Sequence, residues 1–579
     1  MPRDDTVNRR TFLKAAGGAA AGAALAGCAA DPDETTTGSG GANGSGGEET
    51  TTGGEGETTT GSEDGGSGGS GQVLTWARGN DSGTLDPQNT TSGEDVKVTN
   101  QMYEQLVMFE PGKTSLRAGL AKDYTLEGQQ TTVTLREGVT FHNGEEFTAE
   151  DVVATYRRFV DEDYEYYPGD SYVSAYGPFT LGNWIENVET NGDYELTMQM
   201  TQKYAPFLRN LAMFAASILS KKAIQEKGQD LSKEPVGTGP FAFDSWDTSN
   251  QRIRLTRNEE YWGEGASVGQ VVFTAIGSNT TRAQTLDSGD ADIIDGIGAQ
   301  ASKIIENSSS ARLNQADGIN VGYMAFNMAK VEEFRDKKVR QAVSYAINTK
   351  AIVDTIFKGI AKQASQPIPS NVMGYNDSLS PYPHDPEKAQ SLLDEAGVSD
   401  FSFELATFKN PRTYNPSPLQ AAQTVKSNLS EVGIEVTINQ QSFNPFLDYT
   451  SAGKHDACFL GWMTDNADPD NFFYALLHPQ VDVPDGQDWV SFDTDGYNTL
   501  NSAGWANADY MSLVEEAQTT YEEGARRSNY EEAAKIAHDE APWVFMDHAR
   551  ELRGVHSRVE GFTLAPIGGP FLANVGLSN

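Results

Sequence analysis

The run Leu135-Arg136-Glu137-Gly138-Val139-Thr140-Phe141-His142-Asn143-Gly144, continued by Thr148-Ala149-Glu150-Asp151-Val152, carries strand, turn and helix signals in one short stretch. Thr132 to Arg136 alternates as a half-buried strand does. Glu137-Gly138 is a turn signal. Thr148 stands at a helix N-cap with Asp151 three residues on, which is a near capping box. A switch from period two to period 3.6 within so few residues argues for an α/β chain.

The same alternation extends outward in both directions. Val73–Ala77, Tyr194–Met198, Ile253–Leu255, Val271–Phe273, Ile293–Ile294, Glu435–Ile438 and Pro542–Met546 read as strands. Helical spacing predicts helices over Asp95–Phe109, Arg340–Phe357, Pro386–Ala396, Leu419–Val432, Ala508–Glu523 and Ser528–Glu540. Residues 161–187, rich in Asp, Tyr, Gly and Asn, read as a surface insertion. No internal repeat is present.

Composition narrows the function. The 579 residues hold 43 Lys and Arg against 82 Asp and Glu, a net charge of −39. Nucleic-acid binding needs cations against phosphate, so this balance excludes it. It also argues against docking on anionic lipid through a basic patch. Hydrophobic content of 37% is enough for a real core. Such acidity fits a salt-rich habitat, where charge repulsion is screened and hydrated carboxylates keep the surface soluble. Asp31 to Gln72 holds nine of the acids and no base, so most of the charge sits on the folded body.

The N-terminus sets the compartment. Residues 1–28 read as an export signal: Arg9-Arg10 with Thr11-Phe12-Leu13-Lys14 is a twin-arginine pattern, followed by a mildly apolar stretch. Leu25-Ala26-Gly27-Cys28 resembles a lipobox, in which the Cys28 thiol receives the lipid. Residues 29–72 are Gly, Ser, Thr and acid without an aromatic, which cannot bury enough surface to order. They form a tether. The second cysteine, Cys458, lies in an apolar run and reads as an inert buried residue.

Catalytic motifs are missing. Gly112-Lys113-Thr114 lacks the first glycine of a phosphate-binding loop, and no Gly-x-Ser-x-Gly, His-Glu-x-x-His or Cys-x-x-Cys occurs. No two of the seven histidines have metal-ligand spacing on one helix. His142 reads as structural. Ser491–Gly496 half resembles a calcium loop, but Ser502 replaces its bidentate Glu. The chain reads as a non-enzyme with no cofactor and no metal.

Several blocks, in order, resemble the family-5 solute-binding proteins of ABC importers, the dipeptide and oligopeptide binders. They are Leu135–Val152, Pro235-Val236-Gly237-Thr238-Gly239-Pro240-Phe241, Arg257–Trp262, Phe326-Asn327, Val339–Val343 and Ala389–Gly397. Arg412-Thr413-Tyr414-Asn415-Pro416 resembles the segment whose arginine takes a peptide carboxylate. Thr413 departs from it, standing where proline is common. Gly461-Trp462-Met463-Thr464-Asp465 resembles the segment whose aspartate takes the peptide ammonium. The acidity together with this resemblance points to a haloarchaeal source.

The resemblance implies an α/β, two-lobed periplasmic-binding-protein-like fold (type II, cluster C) with an extra inserted domain. Lobe I would take 73–107, 236–325 and 546–579, the insertion 108–235, and lobe II 326–545. It implies a peptide ligand held by Arg412 and Asp465, with Trp462, Tyr414 and Gly461 beside them and Thr91, Ser92 and Gly93 lining the cleft from lobe I. The residue chemistry agrees. A guanidinium fork matches a carboxylate, an aspartate matches an ammonium, and the pair would measure ligand length. The expected protein is a monomer, lipid-anchored outside the membrane, delivering cargo to an ABC permease. Open alternatives keep the fold with other cargo (nickel chelate, haem or oligosaccharide) or make the chain a sensory receptor.

Overall fold

The computed structural model describes residues 71–409 and 411–578. The export signal, Cys28 and nearly all of the tether lie outside these residues.

One mixed sheet of twelve strands runs through the body. Its central element is the strand Trp543–His556, which changes partners along its length. The first half pairs antiparallel with Asn320–Phe326, as in Tyr323↔Phe545, and with Ala361–Gln363. The second half pairs with Ala311–Asp317 and Ile293–Ile294. Beyond Asn320–Phe326 lie Ala457–Met463, Ser402–Phe408 and Glu435–Gln441. Beyond Ile293–Ile294 lie Val73–Arg78, Gln270–Ala275, Arg252–Arg257 and Phe241–Asp247. Every residue of Asn320–Phe326 is buried, which is why this strand is covered on both faces and shows no alternation.

A second sheet of four antiparallel strands joins Ala121–Glu127, Gln130–Leu135, Glu195–Met200 and Ile185–Gly192. Here Gln130–Leu135 does alternate between buried and half-exposed positions. The strand stops at Leu135, Gly138 takes φ 72°, and Thr148 and Asp151 form a capping box on helix Ala149–Val160. The His142 ring bonds the Gly239 carbonyl at 3.0 Å, pinning this turn to the Gly239-Pro240 segment.

Several expected boundaries move. Helical spacing over 95–109 covers two elements: the helix is Gly93–Met102, and Val107–Phe109 is a strand paired with Leu116–Ala118. Leu106 and Val107 extend the apolar spacing, but Tyr103 is already extended. The stretch 340–357 is also divided. Helix Lys337–Ala346 ends, and Asn348 caps a new turn by accepting from the Ala351 amide. The expected strand at 542–546 continues to His556. Residues 161–187 are not merely surface: Tyr176, Thr180 and Leu181 are buried.

Candidate ligand-binding site

The site is built on a pair of glycines. Gly461, on strand Ala457–Met463, faces Gly322 across the antiparallel ladder. A Cβ on Gly461 would run into the Tyr414 ring, and one on Gly322 would meet the Tyr414 carbonyl and the Asp547 carboxyl. Two missing side chains therefore leave a slot in the sheet face, and the turn carrying Arg412 and Tyr414 seats in it. That turn is closed by paired bonds, Arg412 N–H to Asn415 O at 3.0 Å and Asn415 N–H to Arg412 O at 2.9 Å. The Arg412 guanidinium lies over the Phe443 ring, 3.6 Å from its centroid. Stacking on an aromatic face orients the planar fork.

Asp465 follows the end of the same strand. The Thr464 hydroxyl accepts from the Ala467 amide at 3.0 Å, and Asn466 Oδ1 accepts from the Asp468 amide at 2.9 Å. Ala467 holds φ 52°, a left-handed conformation that costs energy for a residue with a side chain. The loop is thus fixed by its own polar groups.

Arg412, Tyr414 and Asp465 line one cavity of about 200 Å³, together with Thr91 and Gly93. Its other walls are mostly apolar, among them Val96, Phe214, Ile319 and Met463. Arg412 and Asp465 are the only charged residues of this lining. Burial pushes the Asp465 carboxyl up to about 7, and a hydrogen bond from Tyr176 opposes that only in part. Among the described residues, the buried Tyr414 hydroxyl has no hydrogen-bond partner. Behind the turn, Asp547 is fully buried, and neither of its carboxyl oxygens is bonded among the described residues; desolvation raises its pKa well above the carboxylate range.

Three expected residues do not reach this cavity. Successive strand residues point to opposite faces, so Trp462 turns away from Met463. Its indole N–H donates to Asn471 Oδ1 at 2.9 Å and the residue is 6% exposed, making it part of the core. Gly461 lies beneath Tyr414. Ser92 caps helix Gly93–Met102 by accepting from the Glu94 amide.

Other lining residues were absent from the sequence reading. Tyr176 and Phe214 come from the 108–235 segment, and Pro566–Gly569 from near the C-terminus. Asn100 donates to the Gly568 and Gly569 carbonyls at 3.1 and 2.9 Å, tying that last segment to the cleft. The cluster of tyrosines at 164–176 was the available signal. Among the described residues, no group of three His, Cys, Asp or Glu side chains is placed to hold a metal. None of their helices is long and apolar enough to cross a membrane.

Comparison with known proteins agrees with this architecture. The model of the bacterial extracellular solute-binding proteins, family 5 middle region, matches residues 115–482. The dipeptide-binding protein of Escherichia coli (strain K12) is 30% identical over 510 residues, covering 85% of this chain and 92% of that one. Heme-binding protein A of Haemophilus influenzae is 30% identical over 486 residues, covering 81% and 86%. Among solved structures, the ABC transporter-associated periplasmic binding protein DppA of Helicobacter pylori, in complex with peptide STSA, superposes with a TM-score of 0.70. It is 30% identical, and the match covers 88% of this chain and 99% of that one.

Proposed function

This chain belongs to the family-5 extracellular solute-binding proteins, which are transport binding proteins and not enzymes, and from that premise we propose that it captures short peptides for an ABC permease. The observation that carries the reading is the charge content of the cavity, a single guanidinium and a single carboxyl on separate elements with apolar walls between. A free peptide is a zwitterion. Arg412 takes its carboxylate through a planar fork, and Asp465 takes its ammonium. The unpartnered Tyr414 hydroxyl offers a further bond to the main chain. A volume near 200 Å³ is small for a ligand pocket, which favours di- and tripeptides over long ones.

Capture proceeds by closure of lobe II (326–545) on lobe I (73–107, 236–325, 546–579), with the insertion 108–235 riding on lobe I. The paired strands where Trp543–His556 changes partners are the natural hinge. The Arg9-Arg10 and Cys28 patterns support export and a lipid anchor, and the net charge of −39 supports a high-salt exterior. In such salt the Debye length falls to about 3 Å at 1 M, so the two site charges attract usefully only once closure excludes solvent.

A haem cargo is the second reading, favoured by the resemblance to heme-binding protein A. Mass spectrometry of small molecules released from natively purified protein separates the two. Short peptides support the proposal; haem or another solute class, with no peptide, overturns it.

A further inference from the structure

The loop that carries Asp465 also meets the 108–235 segment at three points, beside the cavity wall that Tyr176 and Asp465 share. Asn466 Nδ2 donates to Asn210 Oδ1 at 2.9 Å. Arg209 Nε lies 3.6 Å from Asp468 Oδ2. The Tyr204 hydroxyl donates to Asp470 Oδ2 at 3.2 Å. Each contact joins residues far apart in the chain, and all three fall within five consecutive positions, 466–470, the last of them opening helix Asp470–Leu477.

Each surface is also held by contacts within its own segment. On the insertion, Tyr204 stacks on Trp184 with centroids 3.5 Å apart. The Asn210 amide is oriented by the Phe179 and Thr180 carbonyls, each at 3.3 Å, which leaves its oxygen facing the loop. Arg209 donates to the Thr114 carbonyl at 2.7 Å. On the loop side, Asp468 is fully buried and already held by two bonds from Arg526, at 2.9 and 3.2 Å. Arg209 therefore adds a second cation to a carboxylate that Arg526 already pairs.

The two sides of the insertion also differ in kind. Toward residues 73–107 it is fixed by Arg158 and Asp86, both fully buried and 2.7 Å apart. Toward the loop it presents a ring of polar contacts, the composition of a reversible interface. We propose that Arg209, Asn210 and Tyr204 form a closure latch: the insertion clamps the loop carrying Asp465, and Arg209 and Asn210 act as positioning residues that set how long a bound solute is retained. The proposal rests on the solute-binding reading for its kinetic consequence and on geometry alone for the docking.

The test uses the full-length protein with Arg209→Ala and the conservative Arg209→Lys. Stopped-flow kinetics with the dipeptide Ala-Leu reads the cycle, and hydrogen exchange of the ligand-free protein reads the docking. A latch raises koff about tenfold in Arg209→Ala with kon nearly unchanged, and Arg209→Lys recovers part of the loss. Amides of 204–216 and 464–473 exchange faster in Arg209→Ala, while those of 402–408 do not change. Parental koff, or parental exchange in both segments, overturns the latch. If the parent binds no dipeptide, the peptide reading fails, and the exchange data still decide the latch. An Arg209→Ala protein that unfolds throughout defers to Arg209→Lys, whose koff and exchange must then lie above the parent's.

Discussion

Tyr176 and Asp465 line the same cavity wall although they lie far apart in the chain. Burial pushes the Asp465 carboxyl up to about 7, and Tyr176 opposes that only in part. If Asp465 takes the ligand ammonium as proposed, capture is linked to a proton.

The linkage has a definite sign. An ammonium beside Asp465 favours its charged form and lowers its pKa. Below about pH 7 the ligand-free carboxyl holds a proton that the bound form releases. Affinity thus rises with pH up to about 7, by a factor approaching tenfold per unit, and is flat above. Calorimetry at pH 6 in two buffers of different ionisation enthalpy should show close to one proton released. Affinity independent of pH between 5.5 and 8 would contradict the assignment of Asp465.

Removing either charge leaves the ligand end it would pair buried and unpaired. Arg412→Ala and Asp465→Asn should each cost about 2–5 kcal/mol of binding, roughly thirtyfold to several thousandfold in Kd. Asp465→Asn should also abolish the pH dependence. Unchanged Kd in both variants would refute the site.

The glycine slot and the adjacent tryptophan separate binding from stability. Gly461→Ala drives a methyl into the Tyr414 ring, displacing the turn that carries Arg412. It should lose binding and about 1–3 kcal/mol of stability. Trp462→Phe leaves Asn471 Oδ1 without its donor, so it should cost about 1 kcal/mol of stability with Kd unaltered. Denaturant unfolding paired with calorimetry checks both, and a binding loss specific to Trp462→Phe would return Trp462 to the pocket.

Asp547 titrates against folding. Its folded pKa is raised by desolvation, so above about pH 4 the unfolded chain releases a proton that the folded chain keeps. Its contribution to stability then falls as pH rises. Asp547→Asn removes that titration while preserving shape. Measured against the parent, its Tm should improve steadily from pH 5 to pH 8. A constant difference would mean that the carboxyl is ionised in the fold.

Much of this was legible in the residues, because local signals reported local structure. The capping residues at 148 and 151 formed their box, and Gly397 ended helix Pro386–Ala396 at φ 70°. The blocks around Arg412 and Asp465 do meet at one cavity. What failed depended on long-range pairing or on facing direction. Val107–Phe109 became a strand because Leu116–Ala118 pairs with it. Trp462 left the pocket through strand alternation, which shared-block resemblance does not register. Tyr176 sat in a polar, tyrosine-rich stretch that resembles surface, yet its ring packs edge-on against Phe179 and Phe214. The −39 charge names no ligand; only Arg412 and Asp465 among the charged residues line the cavity.

The most direct test of the central claim is calorimetry with Ala-Leu, N-acetyl-Ala-Leu and Ala-Leu-amide in concentrated salt at pH 7.5. Capture of a zwitterion between Arg412 and Asp465 predicts that the free dipeptide binds and that each blocked form is at least thirtyfold weaker, by about 2 kcal/mol or more. Equal binding of all three, or binding of none, would contradict it.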